Sequence, residues 1–224
     1  MFRVAPWPES FCCLLLDYDD TVVEARSHRT KMLTRTLTGL GRSVEHSGFD
    51  GAYDLSFREL VRRIDPNGEF EPFFWEYLKA VELSPAALLP GVSELISRMR
   101  GQGERIGLIS SSDSRLIVAE LRGLGVADLF ELIIGSNHAG PRKPDKGVLL
   151  AAASSLLDEK KLSPSDVIYV GDSLADQLMS QQAGVRFIGV ATGLVSKEEF
   201  VAAGLSDEAV LDNLQELIPR LEFV

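Results

Sequence analysis

Five short apolar runs punctuate the chain, and each stops abruptly at a polar cluster. Residues 11–16 read FCCLLL and end at Asp17-Tyr18-Asp19-Asp20-Thr21. Residues 106–109 run into Ser110-Ser111-Ser112-Asp113, and 132–134 into Gly135-Ser136-Asn137. Residues 167–170 run into Gly171-Asp172-Ser173, and 187–190 into Ala191-Thr192-Gly193. Runs this short and apolar on both faces predict the buried strands of a parallel sheet. Between them the apolar spacing changes from continuous to helical. Val92, Leu95, Ile96 and Met99 mark one helix, and Leu116, Ala119, Leu121 and Leu124 a second. Residues 146–157 and 174–183 predict two more, the last closing on Gly184 as its C-cap. Strand alternating with helix predicts an α/β fold, a Rossmann-like three-layer sandwich with a mostly parallel sheet. Ligand sites of such sheets lie outside the carboxyl ends of the strands, which is where every polar cluster falls.

One stretch breaks the rhythm. From residue 22 to 89 no buried-strand pattern occurs. Met32, Leu33, Leu37 and Leu40 predict one helix; Leu55, Leu60, Val61 and Ile64 a second; Phe73, Phe74, Tyr77, Leu78 and Val81 a third. Gly48, Asp50 and Gly51 punctuate the first gap, and Asp65-Pro66-Asn67-Gly68 the second. The expectation is a core of residues 1–21 and 90–224, with residues 22–89 inserted as an all-helical cap that closes over substrate. Residues 197–203 and 213–221 predict terminal helices packed on the core.

Composition narrows the function classes. The chain has 224 residues, 45% hydrophobic and 25% charged, with 33 acidic against 23 basic side chains and a net charge of -10. That mixture forms a packed core, and its acidity argues against a nucleic-acid partner. No run approaches the roughly 18 apolar residues that span a bilayer, and the first ten lack a signal peptide's pattern. Cys12 and Cys13 are adjacent, which ordinary disulfide geometry does not allow. A reduced, cytoplasmic location is expected, as monomer or homodimer, with no membrane partner.

The strand-end clusters carry the chemistry. Asp17 and Asp19 repel one another unless a cation or a proton relieves them, and Asp172 and Asp176 form a second acidic pair. Oxygen donors of this kind suit a hard divalent ion, magnesium where a phosphate adds a further oxygen. Lys143, from the turn Gly140-Pro141-Arg142-Lys143-Pro144, supplies a positive head. Ser110, with the backbone N–H groups of Ser111 and Ser112, supplies anion donors. Cation, ammonium and hydroxyl around one position form a phosphoryl clamp. In the cap, Arg26, His28, Arg29 and Arg42 are candidates for the rest of a substrate, His28 foremost because it lies near the hinge.

In their order, these clusters resemble the four signatures of the haloacid dehalogenase-like hydrolases: DYDDT at 17–21, Ser110 after a strand, Lys143 with Pro144, and Gly171-Asp172 through Asp176. The resemblance implies that Asp17 is a nucleophile forming an aspartyl-phosphate, and that Asp19 is the general acid and then the base. It implies that Asp17, the main-chain carbonyl of Asp19 and Asp172 hold Mg²⁺. Ser110 would bind phosphoryl oxygens, Lys143 offset charge, and Asp176 orient Lys143 or a metal-bound water. Dehalogenase members carry an aromatic residue where Asp19 stands, so dehalogenation is not expected. Asp20 stands where many members carry Gly. The insertion's position resembles the helical-cap phosphatases, phosphoglycolate phosphatase among them. The function implied is a magnesium-dependent phosphatase of a small phosphorylated metabolite. A sugar-phosphate mutase and a non-catalytic phosphoryl-binding regulator are the alternatives, and Ser111, His28 and Arg26 the candidate substrate contacts.

Overall fold

A computed structural model describes residues 13–42, 57–157 and 163–221. Phe11, Cys12, Leu55 and the punctuation at Gly48, Asp50 and Gly51 lie outside the described residues. The first strand, β1 (Cys13–Leu16), has no exposed residue. It pairs in parallel with β2 (Arg105–Ile109) on one side and β4 (Val167–Gly171) on the other. Beyond β2 lies β3 (Leu132–Ile134), and beyond β4 lie β5 (Arg186–Val190) and β6 (Val210–Leu211). The order β3-β2-β1-β4-β5-β6 is parallel throughout.

Strand alternation divides the core in two. Leu14, Leu16, Ile106, Leu108, Ile168 and Val170 face one layer, where α4 (Val92–Gln102) and α5 (Ser114–Gly123) pack. Cys13, Leu15, Val167, Tyr169 and Phe187 face the other, against α6 (Gly147–Leu156), α7 (Leu174–Ala183) and α8 (Lys197–Ala202). Each large apolar side chain removed from water here stabilises the fold by roughly 1.5–3 kcal/mol before entropy is counted. The tail differs from expectation in two places. Residues 213–221 form two 3₁₀ turns, Leu214–Glu216 and Ile218–Arg220, rather than a helix. Pro219 lacks the N–H that an α-helix interior needs, and Asn213 takes the Gln215 N–H at 2.9 Å. The short β6, two residues long, extends the sheet where no strand was expected.

Between β1 and α4 the chain makes the cap helices α1 (Arg26–Gly39), α2 (Phe57–Ile64) and α3 (Phe70–Leu83). Their apolar faces meet at Met32, Leu33, Leu37, Val61, Phe73, Phe74, Tyr77 and Val81, and the cluster is completed by Leu116 and Ala119 of α5. Helix α5 therefore has two buried faces, with Ile117 and Leu121 turned to the sheet. The Arg115 guanidinium lies 4.2 Å from the centre of the Phe74 ring, closing the edge of this interface.

Gly123, at the end of α5, permits the closest approach, because a Cβ there would be driven into the carbonyl oxygen of Glu82 at the end of α3. Gly123→Ala is therefore expected to destabilise the protein by about 1–3 kcal/mol despite alanine's better helix propensity. Gly101 in α4 has nothing within 4 Å of such a Cβ. There, alanine is expected to be neutral or stabilising by up to about 1 kcal/mol. Urea unfolding of the two variants, compared with the parent, checks the contrast.

Candidate active site

The sheet's connection order reverses between β1 and β4, which opens a crevice at their carboxyl ends. The ladder continues one residue past β1, with the Asp17 N–H donating to Val170 O at 2.8 Å, so the Asp17 carboxylate emerges at this crevice. Beyond it the chain folds back. The Tyr18 carbonyl accepts from the N–H groups of Val22 and Val23, and Val23 bridges both Asp19 and Leu88. Asp20 turns the corner at φ 56°, in the left-handed region that favours Gly, Asn and Asp. The Asp20 Oδ1 also accepts the N–H groups of Ala25 and Arg26, at 2.9 and 3.3 Å, and so caps α1.

Asp17, Asp172 and Asp176 converge, with one carboxylate oxygen of each within 4.8 Å of the others. The Lys143 ammonium is wedged among them, 2.6 Å from Asp17 Oδ1 and 2.7 Å from Asp176 Oδ1. Asp176 is fully engaged: Tyr169 OH donates to Oδ1 at 2.8 Å and Ser173 Oγ to Oδ2 at 2.6 Å. Ser173 in turn accepts the Asp176 N–H as the N-cap of α7. Burial pushes the Asp17 carboxyl well above its ordinary value, Lys143 opposes this, and the Asp176 and Asp172 charges add to it. Burial, then Asp176, raise Asp172 to about 6. Burial alone would lower Lys143, but Asp17 and Asp176 hold it above its ordinary value. Three carboxylates around one ammonium leave negative charge in excess when all are ionised.

The loop after β2 supplies hydroxyls. Ser110 is buried, and its Oγ accepts the Ser112 N–H at 3.0 Å. The Ser112 amide, expected to serve an anion, is thus committed within the loop. Its hydroxyl donates to Asp19 Oδ2 at 2.6 Å. The N-cap of α5 is Asp113, which accepts the Arg115 N–H. Ser111 is exposed and, with Lys143, Ser173 and Asp176, lines a cavity of about 100 Å³.

Asp19 stands apart from the carboxylate cluster, turned toward the cap. Arg29 of α1 donates to its Oδ1 from Nε at 3.1 Å and from Nη2 at 2.7 Å. Burial alone would raise the Asp19 carboxyl, but Arg29 and the Ser112 hydrogen bond outweigh it and hold it below the ordinary value. The same Nη2 is 2.7 Å from Oε2 of Glu120, a carboxylate of α5 with no exposed surface. Glu120 also accepts from Tyr18 OH at 2.9 Å and from the Ala86 N–H at 2.8 Å.

The remaining candidates are dispersed. The His28 Nε2 donates to Ser84 O at 2.7 Å, and its Nδ1 faces Glu120 at 3.5 Å, which places the ring at the joint between cap and core. Arg42 pairs with Asp65 inside the cap. Arg26 pairs with Asp20 at 3.2 Å and, with Glu24, Ser27, Thr30 and Thr192, lines an open cleft of about 570 Å³. Sequence reasoning missed Tyr18, Tyr169, Ser173 and Glu120. The last had a signal: Glu120 is one turn from both Leu116 and Leu124, an acid on an apolar stripe.

The sequence profile of the haloacid dehalogenase-like hydrolases matches residues 14–190, a span that contains all four clusters. A phosphoglycolate phosphatase of Cereibacter sphaeroides is 32% identical over 221 residues, 93% of this chain and 98% of its own. One of Pseudomonas putida is 26% identical over 220 residues, 92% of this chain and 78% of its own. The crystal structure of CbbY from Rhodobacter sphaeroides in complex with phosphate shares the fold, with a TM-score of 0.73 and 20% identity over 95% of this chain and 99% of that one. With its helical insertion and its four strand-end clusters in order, the chain belongs to the haloacid dehalogenase-like hydrolases, in their helical-cap, phosphoglycolate phosphatase-like group.

Proposed function

We propose that this chain is a magnesium-dependent phosphatase that hydrolyses a small phosphomonoester through an aspartyl-phosphate on Asp17. The observation that carries the reading is the Lys143 ammonium held between Asp17 and Asp176 inside three converging carboxylates. Asp17 attacks phosphorus as the bond to the leaving oxygen breaks. Lys143 favours the charged form of this carboxylate against the effect of burial, and it offsets the charge of the intermediate. Asp19, which must be protonated when substrate is bound, gives that proton to the leaving oxygen; as the carboxylate that Arg29 and Ser112 favour, it then takes one from the water that next attacks phosphorus, which frees Asp17 and inorganic phosphate. The Ser112 hydroxyl suits both states of Asp19, because it donates to the carboxylate and accepts from the acid. Ser110 Oγ keeps its own O–H for a phosphoryl oxygen while accepting from Ser112. Asp176, with both oxygens engaged, orients Lys143.

The donor set fits magnesium: it is all oxygen, it is in negative excess, and the side of Asp172 is kept clear by Gly193, where any Cβ would meet Oδ2. Asp17, Asp172 and the main-chain carbonyl of Asp19 would hold the ion, which when bound neutralises charge on the phosphoryl oxygens. Residues 22–89 act as the cap over a core of residues 1–21 and 90–224. Arg26 at the cleft and Ser111 beside Lys143 are the substrate contacts this reading favours, while His28 serves the joint. The named activity of the relatives supports a small phosphorylated metabolite as substrate. No helix among the described residues is long and apolar enough to cross a membrane.

Wild-type protein with Mg²⁺ should release phosphate from an aryl phosphate, and Asp17→Asn should lower the rate by at least about a thousandfold. Equal rates in a phosphate-release assay would overturn the reading.

A second expectation concerns pH. Asp172 keeps its proton up to about 6 in the folded state, whereas the unfolded chain loses it near the ordinary 3.8. Between these values the native state binds more protons, so this group's contribution to stability falls as pH rises. A bound Mg²⁺ would take the place of that proton. The Mg²⁺-induced rise in melting temperature should therefore be small at pH 5 and grow through pH 6 to 7, and Asp172→Asn should flatten it. Thermal melts with Mg²⁺ and with EDTA across this range check both.

A further inference from the structure

Both oxygens of Asp19 are occupied from different parts of the molecule. Oδ2 is held by Ser112, which belongs to the core, and Oδ1 by two donors of Arg29, which belongs to cap helix α1. The two holds differ in kind. A hydroxyl rotates and tolerates a moving proton, whereas the guanidinium is a rigid fork with donors only. Arg29 therefore pins Oδ1 as an acceptor with two donors, and with Ser112 on Oδ2 it sets the orientation of the carboxylate, leaving Oδ2 as the oxygen able to exchange a proton.

Arg29 is itself held in place. Its Nη2 is shared with Glu120 at 2.7 Å, and the guanidinium lies over Tyr18 at 5.8 Å from the ring centre. Glu120 is anchored independently by Tyr18 OH and the Ala86 N–H. Ala86 lies on the segment that returns from the cap to α4, so a single buried carboxylate ties α5, the loop after β1, helix α1 and the return segment. A surface ion pair would contribute little, but a buried carboxylate with three donors is costly to disturb.

We infer that Arg29, braced by Glu120, is a positioning residue that orients Asp19 for proton transfer and makes that orientation depend on where the cap helix α1 lies. The inference rests on the phosphatase reading above and adds to it residues that touch no substrate. Loss of the orientation harms substrates in proportion to how much their leaving oxygen needs a proton. An alkyl phosphate expels a strongly basic alkoxide, whereas an aryl phosphate expels a weakly basic phenolate.

The test is the ratio of kcat for a simple alkyl phosphate to kcat for 4-nitrophenyl phosphate, measured in Mg²⁺. General acid catalysis is worth about 10²–10⁴-fold, so misorientation in Arg29→Gln should lower the ratio by about tenfold or more, outweighing the easier protonation of Asp19 that loss of the guanidinium brings; a ratio that rises overturns the inference. Glu120→Gln, which keeps shape and removes the brace, should lower it by a smaller factor. A role confined to stability would lower both rates together and leave the ratio where it was. If Arg29→Gln does not fold, the double variant Arg29→Gln/Glu120→Gln removes both buried charges and is read by the same ratio. An unchanged ratio in the folded variants overturns the inference. A wild-type protein that hydrolyses neither ester overturns the phosphatase reading instead.

Discussion

The acids at the end of β1 and β4 cannot share one crevice without positive charge between them, and the Lys143 ammonium supplies the part that the chain itself provides. Its contacts with Asp17 and Asp176 join two signatures that are far apart in sequence. Tyr169 and Ser173 occupy what is left of Asp176, so the ammonium sits in a fixed socket. One lysine does not balance three carboxylates. Burial first, and then the neighbouring carboxylates, raise Asp17 and Asp172, and an all-oxygen cluster in negative excess suits a hard cation.

Much of this was legible along the chain because buried parallel strands are simple to recognise. A short apolar run that ends in acids places its acids at one edge of a sheet, and four such edges in order locate a site. Asp17, Ser110, Lys143, Asp172 and Asp176 follow from that rule. Partnerships formed across the fold did not follow. That Asp19 faces Arg29 and Ser112 rather than the other acids depends on a chain reversal at Asp20, and nothing local announces it. Tyr18 read as part of a signature, yet its hydroxyl serves a carboxylate 102 positions away. The tail misled for a local reason: apolar spacing suggested a helix, and Pro219 with the Asn213 side chain limited it to 3₁₀ turns.

The cap and the core divide the chemistry unequally. Asp17, Lys143, Asp172 and Asp176 gather at the sheet edge. Asp19 is shared, with one oxygen facing the core and the other the cap. Under the proposed function, the group that changes protonation state lies where cap and core meet, and the groups that hold charge lie on the core.

Helix α5 carries a consequence for anyone recombining these proteins. Leu116 and Ala119 complete the apolar cluster of the inserted helices, while Ile117 and Leu121 belong to the sheet layer. A chimera that imports only the insertion from another member would set foreign side chains against a native α5, leaving gaps or clashes along that seam. The exchangeable module is larger than the contiguous insert: it includes the outer stripe of a helix that lies about thirty residues downstream of the cap's last turn.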